Sequence, residues 1–263
     1  MKLKRKLNCM SATGPCTGML KEIAKVSDGK VILAQAATGP TASEASRGPV
    51  QSNWGHNVSI MPCGETLASA RAALESLPIE RTNIFGVCIH HTDGETAEAA
   101  RKALKAQGFS THIIIDKNGD ATVELPFAKR AAACVGFNKW MFQIDVVGRL
   151  HLKEPTEEQL LSLYNILELL SCGRPVANID SKFAAKCRKM DVRTVQDATE
   201  KEYAGTYTKY YKRAQKKGSW SGVLDQLPFL IIYHGEVRPT KCCGKFLIEK
   251  IPDIMAELRA AAV

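Results

Sequence analysis

Between residues 80 and 172 the spacing of apolar positions changes period several times. The run Ile84-Phe85-Gly86-Val87-Cys88-Ile89 is short and almost continuously apolar, as a buried strand would be. From Glu95 to Gln107 apolar residues recur at helical spacing and Gly108 follows, which predicts an amphipathic helix with a glycine stop. Two apolar stretches, Ile113-Ile114-Ile115 and Ala121-Thr122-Val123-Glu124-Leu125, flank Asp116-Lys117-Asn118-Gly119-Asp120. Asn-Gly readily takes two positive φ angles, so this segment predicts a hairpin. Thr156 is placed to cap a helix running to about Ser171, with Gln159 at the third position returning the bond. Leu160, Leu163, Leu167 and Leu170 then fall on one stripe for burial. Upstream, Glu65 to Leu77 also has helical spacing, ended by Pro78, whereas residues 35–53 are small, polar and punctuated by proline and glycine, the composition of a linker or loose arm. Strands and helices alternate, which predicts an α/β fold with a central mixed β-sheet flanked by helices.

Composition narrows this picture only slightly. At 263 residues and 45% apolar content the chain can bury a good core. Its net charge of +9 suggests an anionic partner, either nucleic acid or a cell wall rich in carboxylates and phosphates. Nine cysteines at irregular spacing do not form a disulfide framework and suggest synthesis in a reducing cytoplasm. The basic start Met1-Lys2-Leu3-Lys4-Arg5-Lys6-Leu7 is not followed by the ~7–15 apolar residues of a signal peptide. No run of about 18 apolar residues occurs, so no membrane span is expected.

Candidate chemistry lies at two distant places. His234 is followed nine residues later by Cys243, with Lys241 two before that cysteine. His90 stands at the end of the first apolar run, in Ile89-His90-His91-Thr92. Two imidazoles and a thiolate are three ligands suited to a catalytic Zn²⁺, which keeps its fourth position open for water. In an extended segment side chains alternate, so Lys241 and Cys243 would face the metal together while Cys242 points away. The Lys241 ammonium is then placed to stabilise a tetrahedral oxyanion, a contribution on the order of 3–4 kcal/mol.

The order of these pieces resembles the type 2 zinc-dependent N-acetylmuramoyl-L-alanine amidases, the family that includes phage amidase endolysins and peptidoglycan recognition proteins. The resemblance rests on His90-His91-Thr92, on Ser110-Thr111-His112 running into Ile113–Gly119, on Phe142-Gln143-Ile144-Asp145-Val146-Val147-Gly148, on Thr156-Glu157-Glu158-Gln159, and on His234 with Lys241-Cys242-Cys243. It covers roughly residues 80 to 250 and implies an amidase or peptidoglycan-recognition fold. It implies zinc held by His90, His234 and Cys243, with Lys241 and Asp145 as catalytic helpers and Asp145 accepting the proton of water. It further implies substrate contacts at His91, Thr92, His112 and Asn138.

Several of these residues have plain alternatives: His91 as a structural neighbour, His112 packed under the sheet, and Asp145 as an ordinary strand-end carboxylate. Two departures from the family pattern stand out. Arg130-Ala131-Ala132-Ala133-Cys134-Val135-Gly136 lacks the histidine many members carry there, and Thr111 replaces a tyrosine found in several.

The implied organisation is an N-terminal extension and linker over residues 1–55 and a zinc domain over 56–263, with a large helical insertion at about 172–228 before the last metal-binding segment. In that insertion Tyr203, Tyr207, Tyr210 and Tyr211 alternate with Lys201, Lys209, Lys212, Arg213, Lys216 and Lys217, followed by Trp220. Such a helix either presents aromatics and cations to an anionic polymer or docks its tyrosines on the core and leaves its lysines in water. The expected function is hydrolysis of the N-acetylmuramoyl-L-alanine amide of peptidoglycan by a phage-like lytic enzyme, which reaches the wall after lysis or injection. The alternatives are an amidase-fold module that binds wall fragments or another anionic ligand without cleaving, and a nucleic-acid binder acting through the insertion.

Overall fold

In the computed structural model, residues 84–261 are described, apart from 126, 172–173, 219–222 and 224–225. The arm at 35–53, the helix expected over 65–77, the boundary at 55 and Trp220 lie outside the described residues. The elements run β1 (Gly86–His91), α1 (Ala97–Ala106), β2 (Ile113–Ile115), β3 (Ala121–Val123), β4 (Met141–Val146), α2 (Glu157–Ser171), β5 (Val176–Ala177), α3 (Ser181–Cys187), α4 (Val192–Thr199), a π-helical turn (Glu200–Ala204), α5 (Gly205–Lys217), β6 (Phe229–Tyr233), α6 (His234–Val237) and α7 (Lys245–Ala261). Six strands form one mixed sheet in the order β3-β2-β4-β1-β6-β5. Every neighbouring pair is parallel except β2 and β3, which form the antiparallel edge.

Local sequence signals account for much of this. Thr156 and Gln159 exchange the two bonds of a capping box, Gln159 N–H to Thr156 Oγ1 and Thr156 N–H to Gln159 Oε1, both at 3.1 Å. Helix α2 then buries Leu160, Leu163, Leu167 and Leu170, as their spacing requires. Thr96 caps α1 by accepting from the Ala99 N–H at 3.1 Å. The hairpin forms with Ile115 opposite Ala121, but only Gly119 of the Asn-Gly pair has a positive φ, at +82°. The connection is therefore a wider turn closed by Asp116 N–H to Asp120 O at 2.8 Å, not a two-residue primed turn.

Strand alternation divides the core between the two faces of the sheet. On one face Val87, Ile89, Phe142, Ile144, Val146, Phe229 and Ile231 pack with the α2 leucines and with Leu247, Ile251, Ile254 and Leu258 of α7. On the other face Cys88, Met141, Leu230 and Ile232 pack with Phe183, Val195, Tyr207 and Tyr211, all from the insertion. The insertion is thus the second cover of the sheet.

Its tyrosines take the core-docking role of the two considered above. Tyr211 Oη donates to Ile84 O at 2.8 Å, Tyr207 Oη donates to Pro228 O, and the Tyr207 ring centroid lies 4.9 Å from that of Phe85. Lys201, Lys209, Lys212, Arg213, Lys216 and Lys217 remain exposed. Burying two such aromatics contributes roughly 1.5–3 kcal/mol each.

Candidate metal centre

The parallel pairing of β1 with β6 places Ile89 opposite Tyr233, and the next residue on each side is a histidine, His90 and His234. Their ring centroids lie 4.8 Å apart at 62°. The third member arrives from the segment after α6. Cys242 Sγ lies 3.6 Å from His90 Nδ1 and accepts the His91 backbone N–H at 3.3 Å. One ligand atom each from His90, His234 and Cys242 falls within 4.8 Å of the other two, the only such His/Cys/Asp/Glu group among the described residues. Gly235 permits this approach, because a Cβ there would stand 2.4 Å from the Cys242 carbonyl oxygen.

Cys243, the cysteine expected here, lies elsewhere. It is fully buried in the core cluster with Leu247 and Ile251. The expectation assumed that residues 241–243 are extended, so that alternation would carry Lys241 and Cys243 to the same side. The segment is instead a turn, closed by Gly244 N–H to Lys241 O at 2.8 Å with Gly244 at φ +85°, and period-two alternation does not apply inside a turn. Lys241 is exposed at the edge of this turn.

Burial sets the protonation of the three groups. It lowers His90 to about 4, against the opposing hydrogen bond that the ring donates to Gln143 Oε1. Burial, with the neighbouring His90 and Arg238, lowers His234 to about 3. Both imidazoles are therefore neutral near pH 7 and keep a lone pair for a ligand. Burial also pushes the Cys242 thiol well up, and nearby Asp145 adds to the rise. Asp145 pairs in register with His90 across β4 and β1 and is only 5% exposed. Burial raises it to about 6, and its Oδ2 has no hydrogen-bond partner.

The residues expected to touch substrate are engaged within the protein. His112 is fully buried, with Nδ1 accepting from Gln143 N–H and Nε2 donating to Lys129 O, both at 2.9 Å. It packs under the sheet, the ordinary alternative named above, because both ring nitrogens are satisfied internally. Asn138, 8% exposed, accepts through Oδ1 from Ala133 N–H at 2.9 Å and Cys134 N–H at 2.7 Å and so shapes the 133–138 loop. His91 accepts from Leu150 N–H at 3.2 Å through Nδ1, and Thr92 Oγ1 accepts from Gly94 N–H at 3.2 Å and Gly148 N–H at 3.3 Å. His91 and Thr92 are both partly exposed at the carboxyl end of β1, the end that carries the metal cluster.

Sequence reasoning missed Cys242 as the cluster thiol, and it missed Gln143, whose Oε1 lies 2.8 Å from His90 Nε2. A signal for Gln143 was present: it stands two residues before Asp145 on β4, hence on the same face. None of the five described cysteines, Cys88, Cys134, Cys187, Cys242 and Cys243, is in a disulfide. No helix among the described residues is long and apolar enough to cross a membrane.

Comparison with known proteins gives one match to a family model, N-acetylmuramoyl-L-alanine amidase (Amidase_2), over residues 80–188. That segment includes His90, Gln143 and Asp145 and ends before His234 and Cys242. No curated protein matches the chain. Similar solved structures include the N-acetylmuramoyl-L-alanine amidase LysC from Clostridium intestinale, 18% identical with a TM-score of 0.40, covering 68% of this chain and 87% of that one. Peptidoglycan recognition protein-LE, solved in complex with tracheal cytotoxin, is 14% identical with a TM-score of 0.39, covering 65% and 80%. Apis mellifera PGRP-SA is 13% identical with a TM-score of 0.38, covering 65% and 82%. Scores this low carry no argument. Residues 80–188 are similar to the N-acetylmuramoyl-L-alanine amidase family.

Proposed function

We propose that this protein is a zinc-dependent hydrolase that cleaves the amide between N-acetylmuramic acid and L-alanine in peptidoglycan, with His90, His234 and Cys242 as the zinc ligands. The observation that carries this reading is the convergence of those three donors within 4.8 Å in a chain whose residues 80–188 match the amidase family. The donor set fits zinc: two neutral imidazoles and one sulfur are borderline ligands that leave a tetrahedral position open. Zinc bound there supplies Lewis acidity toward an amide carbonyl and activates water as a nucleophile. His90 and His234 hold the ion without first losing protons. Asp145, with an unpartnered oxygen and a carboxyl raised to about 6, accepts the proton of the attacking water and returns it to the leaving amine. We assign oxyanion stabilisation to Lys241, which adjoins Cys242 in the chain and is free to swing from its exposed position. As a lytic enzyme of phage type it would reach the wall on lysis or by injection.

The protonation states give a direct test. Both histidines are already deprotonated above about pH 5, so only the Cys242 proton leaves when zinc binds. Zinc affinity should therefore rise about tenfold per pH unit between pH 6 and 8. Competition with a chelator at several pH values measures the slope. A slope near zero would remove the thiol from the ligand set, and a slope of two or more would mean that the histidines are protonated in the free protein.

We further propose that the insertion attracts an anionic wall polymer. Residues 180–218 expose eleven lysines and arginines against five aspartates and glutamates, a net +6 of the chain's +9. Replacing Lys212, Arg213, Lys216 and Lys217 by glutamine should weaken binding to whole walls and flatten its salt dependence, because screening acts on those charges. Hydrolysis of a small soluble muramoyl peptide should be unchanged. Equal losses on both substrates would instead mean that the four cations support folding, and tight single-stranded nucleic-acid binding lost with the same changes would favour a nucleic-acid role.

A further inference from the structure

We infer that Gln143 is a positioning residue for the metal centre, its side-chain amide fixing the His90 ring in the tautomer that leaves Nδ1 free to ligate. Three contacts determine this. Gln143 Nε2 lies 3.3 Å from Met141 O, Gln143 Oε1 lies 2.8 Å from His90 Nε2, and His90 Nδ1 lies 3.6 Å from Cys242 Sγ. A backbone carbonyl only accepts, so the amide NH₂ must face Met141 and its oxygen must face His90. That oxygen also only accepts, so His90 Nε2 carries the ring proton. A neutral imidazole has one N–H, and the lone pair is left on Nδ1, the atom that faces the cluster.

The opposite amide orientation is unfavourable on both sides. It would set Oε1 against Met141 O, two acceptors face to face, and turn the NH₂ toward His90 Nε2. The ring proton would then sit on Nδ1 and block ligation. The backbone around Gln143 holds the amide in place. Its N–H donates to His112 Nδ1 at 2.9 Å, and its carbonyl accepts from His112 N–H at 3.0 Å and Thr111 Oγ1 at 2.9 Å. Gln143 itself is fully buried, so water does not compete for the His90 bond. His112 and Thr111 thus act through Gln143, which gives these two buried polar side chains a task within the site.

The inference rests on the zinc reading, and its test separates the two. The full-length metal-free protein, labelled with ¹⁵N at histidine, reports by NMR which ring nitrogen of His90 bears the proton. Zinc affinity is then measured by chelator competition for wild type, Gln143→Met and Gln143→Glu. The expected results are an Nε2–H tautomer in wild type and loss of that fixed tautomer in Gln143→Met. With it should go a 10–100-fold drop in zinc affinity, the range typical of losing an outer-shell partner. Gln143→Glu keeps the acceptor oxygen toward His90 and, held protonated by burial, offers an O–H to Met141 O in place of the amide N–H, so it should recover affinity to within a few-fold of wild type. An Nδ1–H tautomer in wild type, or wild-type affinity in Gln143→Met, would overturn the inference. If the methionine variant fails to fold, the wild-type tautomer decides by itself. An Nε2–H wild type that takes up no zinc would overturn the metal reading, and with it any role for Gln143 toward a metal.

Discussion

Replacing His234 by alanine should strip the protein of zinc and of amide hydrolysis together, and among the cysteines only Cys242→Ser should do the same. The two neighbouring thiols make this a sharp comparison. Cys242 Sγ lies 3.6 Å from His90 Nδ1, whereas Cys243 is fully buried among Leu247 and Ile251. Cys242→Ser replaces a thiolate ligand by a hydroxyl that stays protonated at neutral pH, so zinc affinity should fall by more than the roughly 10–100-fold that follows loss of an outer-shell partner. Cys243→Ser places a hydroxyl in an apolar cluster and should cost about 1–3 kcal/mol of stability while zinc stays stoichiometric. Metal analysis of the purified variants together with thermal melts reads both effects. Zinc retained in Cys242→Ser and lost in Cys243→Ser would return the ligand to the position first expected from sequence.

Asp145→Asn should lower turnover by ~10²–10⁴ and at the same time stabilise the metal-free protein. Burial raises the Asp145 carboxyl to about 6, above the ~3.9 of an unfolded chain. Below about pH 4 both states hold the proton and the group favours neither. As pH rises from 4 to 6 the unfolded chain releases its proton first, so this group increasingly disfavours the folded state through that window. Above pH 6 the folded protein carries the full cost of a buried carboxylate, on the order of 2–3 kcal/mol. Asparagine removes the charge, so at pH 7.5 the variant should melt several degrees higher, the pattern of an active site that trades stability for chemistry. Thermal scans at pH 4 and pH 7.5 make the comparison. A variant that melts lower at both, or that keeps wild-type turnover, would assign the carboxylate a structural role.

What the sequence made legible follows physical lines. The capping box at Thr156, the leucine stripe of α2 and the hairpin edge rest on contacts between residues close in the chain, and local pattern is enough to find them. His90 was legible because it ends an apolar strand, and His234 because Lys241 and the adjacent cysteines follow it; parallel pairing of β1 with β6 then brings the two histidines together. The cysteine was misplaced because alternation was assumed across residues 241–243, where the backbone turns. Nothing in the local pattern separates a two-residue turn from two residues of strand when both side chains are cysteine. The insertion was half legible. Its tyrosine spacing correctly gave a helix with one aromatic face, yet a docked face and a free one look the same in sequence, and only the packing of Tyr207 and Tyr211 on the β1–β6 side distinguishes them. Strands β5 and β6 passed unread, the first because two residues carry no period. Gln143 escaped because a buried amide has no motif of its own, and its meaning comes from the ring it faces across the sheet.

The central claim is hydrolysis of one bond, and identifying the product tests it most directly. Purified peptidoglycan is incubated with the zinc-loaded protein, and the soluble and insoluble fractions are analysed by mass spectrometry. The expected result is release of stem peptides with a free N-terminal L-alanine and glycan strands with intact lactyl carboxylates, abolished by a chelator and restored by zinc. Binding to peptidoglycan with no new amino terminus would contradict the account in favour of a recognition module, and cleavage within the glycan or between peptide residues would contradict it outright.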